Sequence, residues 1–218
     1  MNTNAPERTA VVDIVVKIGG GVLAHAEHFD AVLTAIGTAG RERRLLVVPG
    51  GGPFADTVRE VDRRIQLSGD AAHWMALLAM DQYAHLVSSR LSGSVLVTKR
   101  QEIADALDAA VRHIPVLAPY RWLHEADPLP HAWTVTSDSI GAWVAGRVDA
   151  RRLVLVKPPG ARLQLPHGMK ATGFGETAQQ AAAGELVDAY FPSALPPQVR
   201  FFMVAADQVD ALRLALSG

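Results

Sequence analysis

The stretch VVDIVVKIGGG, residues 11–21, decides the fold. β-Branched residues dominate its first six positions, which is typical of a strand covered on both faces within a parallel sheet. Lys17 ends the apolar run, and Gly19, Gly20 and Gly21 follow it. Glycines let the backbone approach an anion closely, and their N–H groups can point at phosphate oxygens. The stretch therefore predicts a strand that leads into a phosphate-binding turn, although a simple tight turn would contain the same glycines.

A second glycine-rich turn follows the next predicted strand, LLVV at residues 45–48. It contains Gly50, Gly51 and Gly52 between two prolines, and it opens a helix. Two such turns in consecutive strand-to-helix connections are harder to explain as simple turns than one is. Neither turn matches the Walker pattern, which needs Gly-Lys-Ser/Thr at the helix start, and neither is a GxGxxG fingerprint. The pair predicts a phosphate site at the carboxyl ends of two parallel strands.

Strands and helices alternate along the rest of the chain. Apolar spacing predicts strands at 45–48, 94–98, 114–118, 153–157 and 200–205, and helices at 28–40, 53–64, 70–91, 101–111, 136–146, 176–183 and 207–216. Asp70 is the predicted N-cap of helix 70–91, and the segment 119–133, with three prolines, is predicted to be a loop. This order predicts an α/β fold, namely a three-layer α/β/α sandwich around a mainly parallel sheet.

The length of 218 residues predicts one domain. Residues 1–10 are predicted to be a disordered lead, and residues 11–218 a single domain. The loop 119–133 is the best candidate for a division between two lobes. The glycine- and proline-rich segment 158–175 is predicted to loop over a site.

Composition excludes several classes of site and partner. The 21 basic and 22 acidic residues leave a net charge of -1, which argues against a broad nucleic-acid-binding surface. The absence of cysteine excludes disulfides, thiolate zinc sites and a cysteine nucleophile, and no His, Asp and Glu residues lie at metal-ligand spacing. The sequence contains no run of ~18 apolar residues, so it predicts no membrane-spanning helix. We therefore expect a cytoplasmic protein that binds neither nucleic acid nor membrane.

Polar residues TSDS, at 136–139, open the predicted helix 136–146. Capping alone could explain them, because Thr and Ser are good N-caps and an acid suits the first turn. Alternatively, Asp138 holds lysines or a magnesium ion beside bound phosphates. Lys157 ends an apolar strand and could be a snorkelling edge lysine, or it could stabilise a phosphoryl group during transfer. Because phosphoryl transfer depends mainly on positioning and electrostatics, two lysines, glycine N–H groups and one aspartate would suffice.

Together these motifs resemble the amino acid kinase superfamily, which includes acetylglutamate, aspartate, carbamate, uridylate and isopentenyl phosphate kinases. The resemblance rests on Lys-x-Gly-Gly after the first strand, Gly-Gly-Gly after the second and Ser-Asp opening a later helix, and it spans about residues 11–205. It implies the three-layer fold, ATP with Mg²⁺, and a small-molecule acceptor.

The resemblance also implies roles for individual residues. Lys17 and the glycines of both turns would contact the transferred phosphoryl group, and Asp138 would orient the lysines. Ser137 and Gly160 would also bind phosphate or ATP, and Lys157 looks like the lysine that precedes the nucleotide loop in several members.

The segment KPPG, at residues 157–160, departs from the family pattern. Relatives similar to uridylate kinase usually continue Lys-Val-Asp-Gly, with an acid that this chain lacks. The departure puts the usual nucleotide contacts, and catalysis with them, in question.

A finer similarity is to the kinase branch of methanofuran cofactor biosynthesis, whose bacterial versions are associated with one-carbon metabolism through tetrahydromethanopterin. That branch phosphorylates an aminomethylfuran phosphate to its diphosphate. The similarity rests on short segments spread over the chain, at 54–56, 58–59, 73–76, 80–82 and 133–140.

Three residues are candidates for binding the acceptor. Arg59 could contact a phosphate or carboxylate with its planar fork, or lie on a solvated helix face. His25, just after the first glycine turn, could contact a substrate phosphate or face solvent. His73, on helix 70–91, could line the substrate pocket or be a buried or interface histidine. That helix is apolar over more than one face, which predicts a homodimer or higher homo-oligomer through it.

Three functions follow from these observations. An ATP-dependent small-molecule kinase is the lead hypothesis. A non-catalytic nucleotide- or oxyanion-binding protein is the second, because molybdenum storage proteins resemble the same superfamily. A regulatory or scaffold subunit that uses helix 70–91 for partner contact is the third.

Overall fold

Six parallel strands form one central sheet in a computed structural model that describes residues 12–161 and 175–217. The strands are β1 (Ile14–Ile18), β2 (Leu45–Pro49), β3 (Ser94–Val97), β4 (Ile114–Leu117), β5 (Arg152–Lys157) and β6 (Arg200–Ala205). Their spatial order is β3-β4-β2-β1-β5-β6, and every neighbouring pair is parallel. The predicted lead at residues 1–10 and most of the predicted loop 158–175 lie outside the described residues.

Helices connect the strands and pack on both faces of the sheet. They are α1 (Ala26–Ala39), α2 (Gly52–Ile65), α3 (Gly69–Arg90), α4 (Arg100–Asp108), α5 (Tyr120–Ala126), α6 (Ser137–Arg147), α7 (Gly175–Ala183), α8 (Phe191–Ala194) and α9 (Val209–Ser217), with a short 3₁₀ helix at Gly20–Ala24. Each strand and helix predicted from the sequence is present, within about three residues of its predicted bounds.

Two apolar clusters lie on opposite faces of the sheet, because successive strand side chains point to opposite sides. Val15 belongs to one cluster, which includes residues of α4, α5 and α6, and Val16 belongs to the other, which includes residues of α1 and α9. Helix α3 contributes Met80 to the first cluster and Val87 to the second. The three-layer α/β/α prediction is therefore confirmed, as is the prediction that α3 is apolar over more than one face.

Two local predictions were wrong. The segment 119–133 is not a continuous loop, because its prolines flank helix α5 rather than interrupt it, and α5 buries Trp122 and Leu123 against the core. The N-cap of α3 is Ser68 rather than Asp70, and its side chain accepts a hydrogen bond from the Ala71 N–H. The four-residue helix α8 had no prediction, since it is too short to show a helical period.

The strand order determines which turns meet. Strands β2, β1 and β5 are neighbours, so the turns after their carboxyl ends lie side by side. In open parallel sheets this edge is where ligands bind. Within the described residues, no helix is both long and apolar enough to span a membrane.

Candidate active site

Asp138 lies between two lysines where β1 and β5 end. Its Oδ1 atom is 2.8 Å from Lys17 Nζ, and its Oδ2 atom accepts a 2.7 Å hydrogen bond from Lys157 Nζ. The three side chains are largely buried, with exposed fractions of 8% for Asp138, 5% for Lys17 and 12% for Lys157. Two ammonium groups and one carboxylate leave one positive charge in excess, so the cluster is suited to attract an anion.

Burial and charge act in opposite directions on Asp138. Burial alone would raise the pKa of its carboxyl group, but Lys17 and Lys157 outweigh burial and hold the pKa below its usual range. For Lys157, burial is the largest influence and lowers its pKa; Asp138 opposes this, while Lys17 adds to the lowering. The carboxylate is therefore ionised at neutral pH and acts as a counter-ion rather than as a proton acceptor.

The two glycine turns touch each other beside this cluster. A Cβ atom added at Gly20 would lie 2.5 Å from the backbone nitrogen of Gly52 and 2.7 Å from its Cα, closer than any side chain can approach. Gly52 itself has a φ of 56°, which favours glycine. A Cβ at Gly50 would come within 3.0 Å of Ser137 Oγ, which brings the start of α6 to the same place. The structure therefore places both glycine turns and Ser137 next to one another.

Not all the glycine N–H groups are available to a ligand. Gly19 N–H donates to the Val156 carbonyl and Gly50 N–H donates to the Ile18 carbonyl, each over 2.8 Å. These two bonds fix the turns to the sheet. Gly51 and Gly52 stand at the start of α2, where the first N–H groups of a helix lack an intrahelical acceptor. Such groups can donate to an anion, and the positive end of the helix dipole favours one.

Asp188 holds the start of α6 in place and was not predicted. Its carboxylate accepts hydrogen bonds from the N–H and hydroxyl of Thr136, over 3.1 and 2.8 Å, and from the N–H of Ser139 over 3.0 Å. It also accepts bonds from the Ser139 hydroxyl and from Tyr190 N–H. Because these contacts surround Asp138 in sequence, Asp188 sets the position from which Asp138 faces the lysines.

The segment that departs from the family pattern forms a tight turn. Ala161 N–H donates to the Pro158 carbonyl over 3.2 Å, and Gly160 has a φ of 71°. Proline at the second turn position and glycine with positive φ at the third are typical of a type II turn. The Gly160 N–H donates to Asp207 over 3.2 Å, so that group holds the turn rather than facing a phosphate.

A cavity of about 220 Å³ opens beside the two glycine turns. Its walls come from the glycine turns, the first half of α2, the first half of α3, the segment before α6 and the start of α6 itself. Arg59, His73 and Trp133 line it, over an apolar part that includes Met80. A larger groove of about 660 Å³ lies at the opposite, amino-terminal edge of the sheet and contains none of the lysine cluster or glycine turns.

The structure separates the three acceptor-binding candidates. Arg59 lies in the cavity, 3.0 Å from Asp56, with its guanidinium 4.8 Å from the centre of the Trp133 ring. His73 also lies in the cavity; burial and then the charge of His131 lower its pKa to about 4, so it is neutral at pH 7. His25 is exposed at the start of α1 and does not line the cavity.

Comparisons with known proteins agree with this geometry. The model of the amino acid kinase family matches residues 14–158. The chain is 27% identical over 163 residues to [5-(aminomethyl)furan-3-yl]methyl phosphate kinase of Methanocaldococcus jannaschii, a match that covers 68% of this chain and 71% of that protein.

Two solved structures show the same fold at 14% identity. Uridylate kinase from Archaeoglobus fulgidus superposes with a TM-score of 0.67 over 94% of this chain and 96% of its own. Aspartate kinase from Synechocystis superposes with a TM-score of 0.60 over 89% of this chain and 38% of its own. Since the family model spans both glycine turns and the cluster of Lys17, Asp138 and Lys157, the chain belongs to the amino acid kinase family and is a phosphotransferase of that family.

Proposed function

We propose that the protein is an ATP-dependent small-molecule kinase that transfers the γ-phosphoryl group to a phosphate or carboxylate acceptor. Our best candidate for the acceptor is an aminomethylfuran phosphate, which would become its diphosphate in methanofuran-type cofactor biosynthesis. The observation that carries the proposal is the Lys17–Asp138–Lys157 cluster, which stands where two glycine turns meet beside an open cavity.

The proposed reaction needs little covalent help from the protein. An acceptor oxygen attacks the γ-phosphorus of ATP, the bond from that phosphorus to the β–γ bridging oxygen breaks, and ADP leaves. A phosphate or carboxylate acceptor is already anionic at neutral pH, so no side chain has to remove a proton. Lys17 and Lys157 stabilise the charge on the phosphoryl oxygens, which is the main contribution an enzyme makes to this chemistry.

The described residues fit ATP better than they fit a protein-held metal ion. The glycine turns have no room for a Cβ atom, so their backbone can approach phosphate oxygens closely. The excess positive charge of the lysine cluster favours the same oxygens. Both oxygens of Asp138 already face lysines, and the described residues contain no group of three His, Cys, Asp or Glu that could hold a metal. We therefore propose that Mg²⁺ reaches the site bound to ATP, where it would neutralise phosphate charge.

The cavity beside the glycine turns is the proposed acceptor site. It places Arg59, a residue suited to phosphate and carboxylate, on the same side as Gly20 and Gly51. Its aromatic and apolar walls suit a small ring. An acceptor phosphate held by Arg59 would lie next to the γ-phosphoryl group held by the lysines.

The protein is also proposed to be a homodimer through α3. Leu78 lies on that helix with 43% of its surface exposed, while its neighbours Leu77 and Ala79 are buried. Together with the apolar character of α3 over more than one face, this exposed side chain supports contact between two copies of the helix.

The test is ADP release from Mg-ATP over a panel of acceptors: carboxylates, alcohol monophosphates, UMP and [5-(aminomethyl)furan-3-yl]methyl phosphate. We expect release with the last, and a loss of at least about 100-fold in the Lys17→Ala variant. Lys99→Ala is the matched control, because Lys99 is 38% exposed and lies 3.7 Å from Glu125, away from the cluster. The control should retain the activity of the unmodified protein.

Each negative result has its own meaning. ADP release with a different acceptor would support the kinase assignment but contradict the proposed acceptor. ATP binding without release on any acceptor would favour the nucleotide- or oxyanion-binding protein. Absence of ATP binding would contradict the assignment of both glycine turns.

A further inference from the structure

The proposed acceptor cavity continues into a second one. This smaller cavity, of about 160 Å³, shares four lining residues with the first, among them His73 and Trp133. The two aromatic rings therefore stand where the cavities join. Together the cavities form a cleft that begins at the glycine turns and ends at Asp62, on the last turns of α2.

Asp62 is the acid at the far end of this cleft. Its Oδ2 atom accepts a 2.7 Å hydrogen bond from Trp133 Nε1, and its Oδ1 atom accepts a 2.8 Å bond from Leu67 N–H. It forms no ion pair with any residue in ranges 12–161 and 175–217. Asp56, the acid that lines the first cavity, is by contrast 3.0 Å from the Arg59 guanidinium.

A basic residue of the smaller cavity, His131, is already paired with carboxylates. His131 lines this cavity, but its two ring nitrogens lie 2.6 Å from Asp70 and 2.8 Å from Asp127. The charge of His131 is thus balanced by carboxylates outside the cavity. Within the part of the chain that the structure describes, no ion pair from across the cleft therefore cancels the negative charge of Asp62.

We propose that Asp62 binds a cationic group of the acceptor, at the end farthest from the phosphate that receives the phosphoryl group. The proposal rests on the proposed function, because it assumes that the acceptor occupies this cleft. It specifies an acceptor class: a phosphate at one end, a flat ring at the junction between His73 and Trp133, and an ammonium group at the other end. The aminomethylfuran phosphate already proposed has this arrangement.

The chemistry of Asp62 leaves room for such a ligand. An ionised carboxylate has about four acceptor directions, and the two hydrogen bonds to Trp133 and Leu67 use only two of them. A hydrogen bond between an ammonium and a carboxylate is roughly twice as strong as one between neutral groups. Asp62 would therefore both orient the Trp133 ring and bind the amine that lies beyond it.

The experiment compares two acceptors in two variants. The acceptors are [5-(aminomethyl)furan-3-yl]methyl phosphate and (5-methylfuran-3-yl)methyl phosphate, which lacks only the amino group. Dissociation constants from calorimetry and kcat/KM values from ADP release are measured for the unmodified protein, for Asp62→Asn and for Asp56→Asn as the matched control. Asn retains the size of Asp and can still accept the Trp133 N–H, but it has no charge.

We expect the unmodified protein to prefer the aminated compound by about tenfold or more, and Asp62→Asn to lose that preference. Asp56→Asn should keep the preference. If Asp62 had only a structural role, Asp62→Asn would weaken the binding of both compounds equally and leave the ratio of their affinities unchanged, which would overturn the proposal. Absence of any preference in the unmodified protein would also overturn it.

The two proposals fail in different ways. Preferential binding of the aminated compound that depends on Asp62, without ADP release, would contradict the proposed reaction and support the cation site. ADP release with equal use of both compounds would support the kinase and overturn the cation site. Absence of binding of either compound would overturn the cation site as stated.

Discussion

The carboxylate of Asp138 accepts a 2.7 Å hydrogen bond from the ammonium group of Lys157, in a position with little exposure to solvent. An Asp138→Asn variant would leave Lys157 and Lys17 close together without a counter-charge. We expect it to lose about 3 kcal/mol of unfolding free energy, the usual result of breaking a buried ion pair, and at least about 100-fold in kcat. Urea denaturation and ADP release measure the two effects.

The control for this variant is Asp149→Asn. Asp149 is exposed and has a φ of 53°, which Asn tolerates as readily as Asp, so neither stability nor kcat should change appreciably.

The pKa of Asp138 also predicts how the stability of the protein changes with pH. Because the folded protein holds it below the ordinary value of 3.8, ionised Asp138 stabilises the fold above that pH, and the stabilisation is lost as the pH falls. An Asp138→Asn variant that is as stable as the unmodified protein would contradict the role of Asp138.

Asp188 is expected to act on catalysis through the position of α6. In Asp188→Asn one carboxylate oxygen becomes an NH₂ group, which cannot accept a hydrogen bond. Either the N–H groups of Thr136 and Ser139 or the N–H group of Tyr190 therefore loses its acceptor. We expect kcat to fall by about tenfold or more, because small displacements of catalytic groups are costly, while KM for ATP changes little. Steady-state kinetics measure both constants. A rise in KM with kcat unchanged would assign Asp188 to binding instead.

The contact between the two glycine turns predicts a strong effect of one methyl group. Gly20→Ala would place Cβ against the backbone of Gly52, which cannot move without displacing α2. We expect loss of activity and a reduced melting temperature. Gly37→Ala is the matched control, because Gly37 lies within α1 and its Cβ would make an ordinary 3.5 Å contact with Leu91. That control should gain up to about 1 kcal/mol from better helix propensity. Equal behaviour of the two variants would show that the turns can separate.

His131 makes the stability depend on pH near neutrality. Its hydrogen bond to Asp70, supported by Asp127, raises its pKa above the ordinary value of 6.5. The protonated ring therefore stabilises the fold fully below about pH 6.5, and this stabilisation is lost as the pH rises through the folded-state pKa. Urea midpoints at about pH 6 and about pH 9 should differ less in His131→Gln than in the unmodified protein. His85→Gln, at an exposed position on α3, should keep the full difference.

The dimer through α3 has a direct test. Leu78→Lys would place a charge at the centre of the proposed contact, where burial of an unpaired ammonium is unfavourable. Light scattering should give a dimer or larger assembly for the unmodified protein and a smaller species for the variant. A monomer at working concentration in the unmodified protein would contradict the dimer.

Local sequence patterns were enough to predict the sheet and the part of the site that follows the strands directly. Lys17 and the glycines follow buried strands directly, so strand prediction alone places them at one edge of the sheet. Asp188 could not be found this way, since it lies 49 residues after the Ser139 that it caps and no motif surrounds it. The hydrogen bond between Asp62 and Trp133 joins residues 71 positions apart, on a helix and a loop. Such pairs depend on how α2, α3 and the segment before α6 pack, which periodicity does not describe.

The burial of Lys17 has a consequence for how the chain is made. Lys17 leaves the ribosome long before Asp138, yet it ends in the middle of the finished sheet with 5% of its side chain exposed. An amino-terminal half that folded early would bury the ammonium group of Lys17 without the carboxylate of Asp138, which is strongly unfavourable. We therefore expect the nascent amino-terminal half not to fold fully until α6 has been synthesised, so that the charge cluster and the complete sheet form in the same late step.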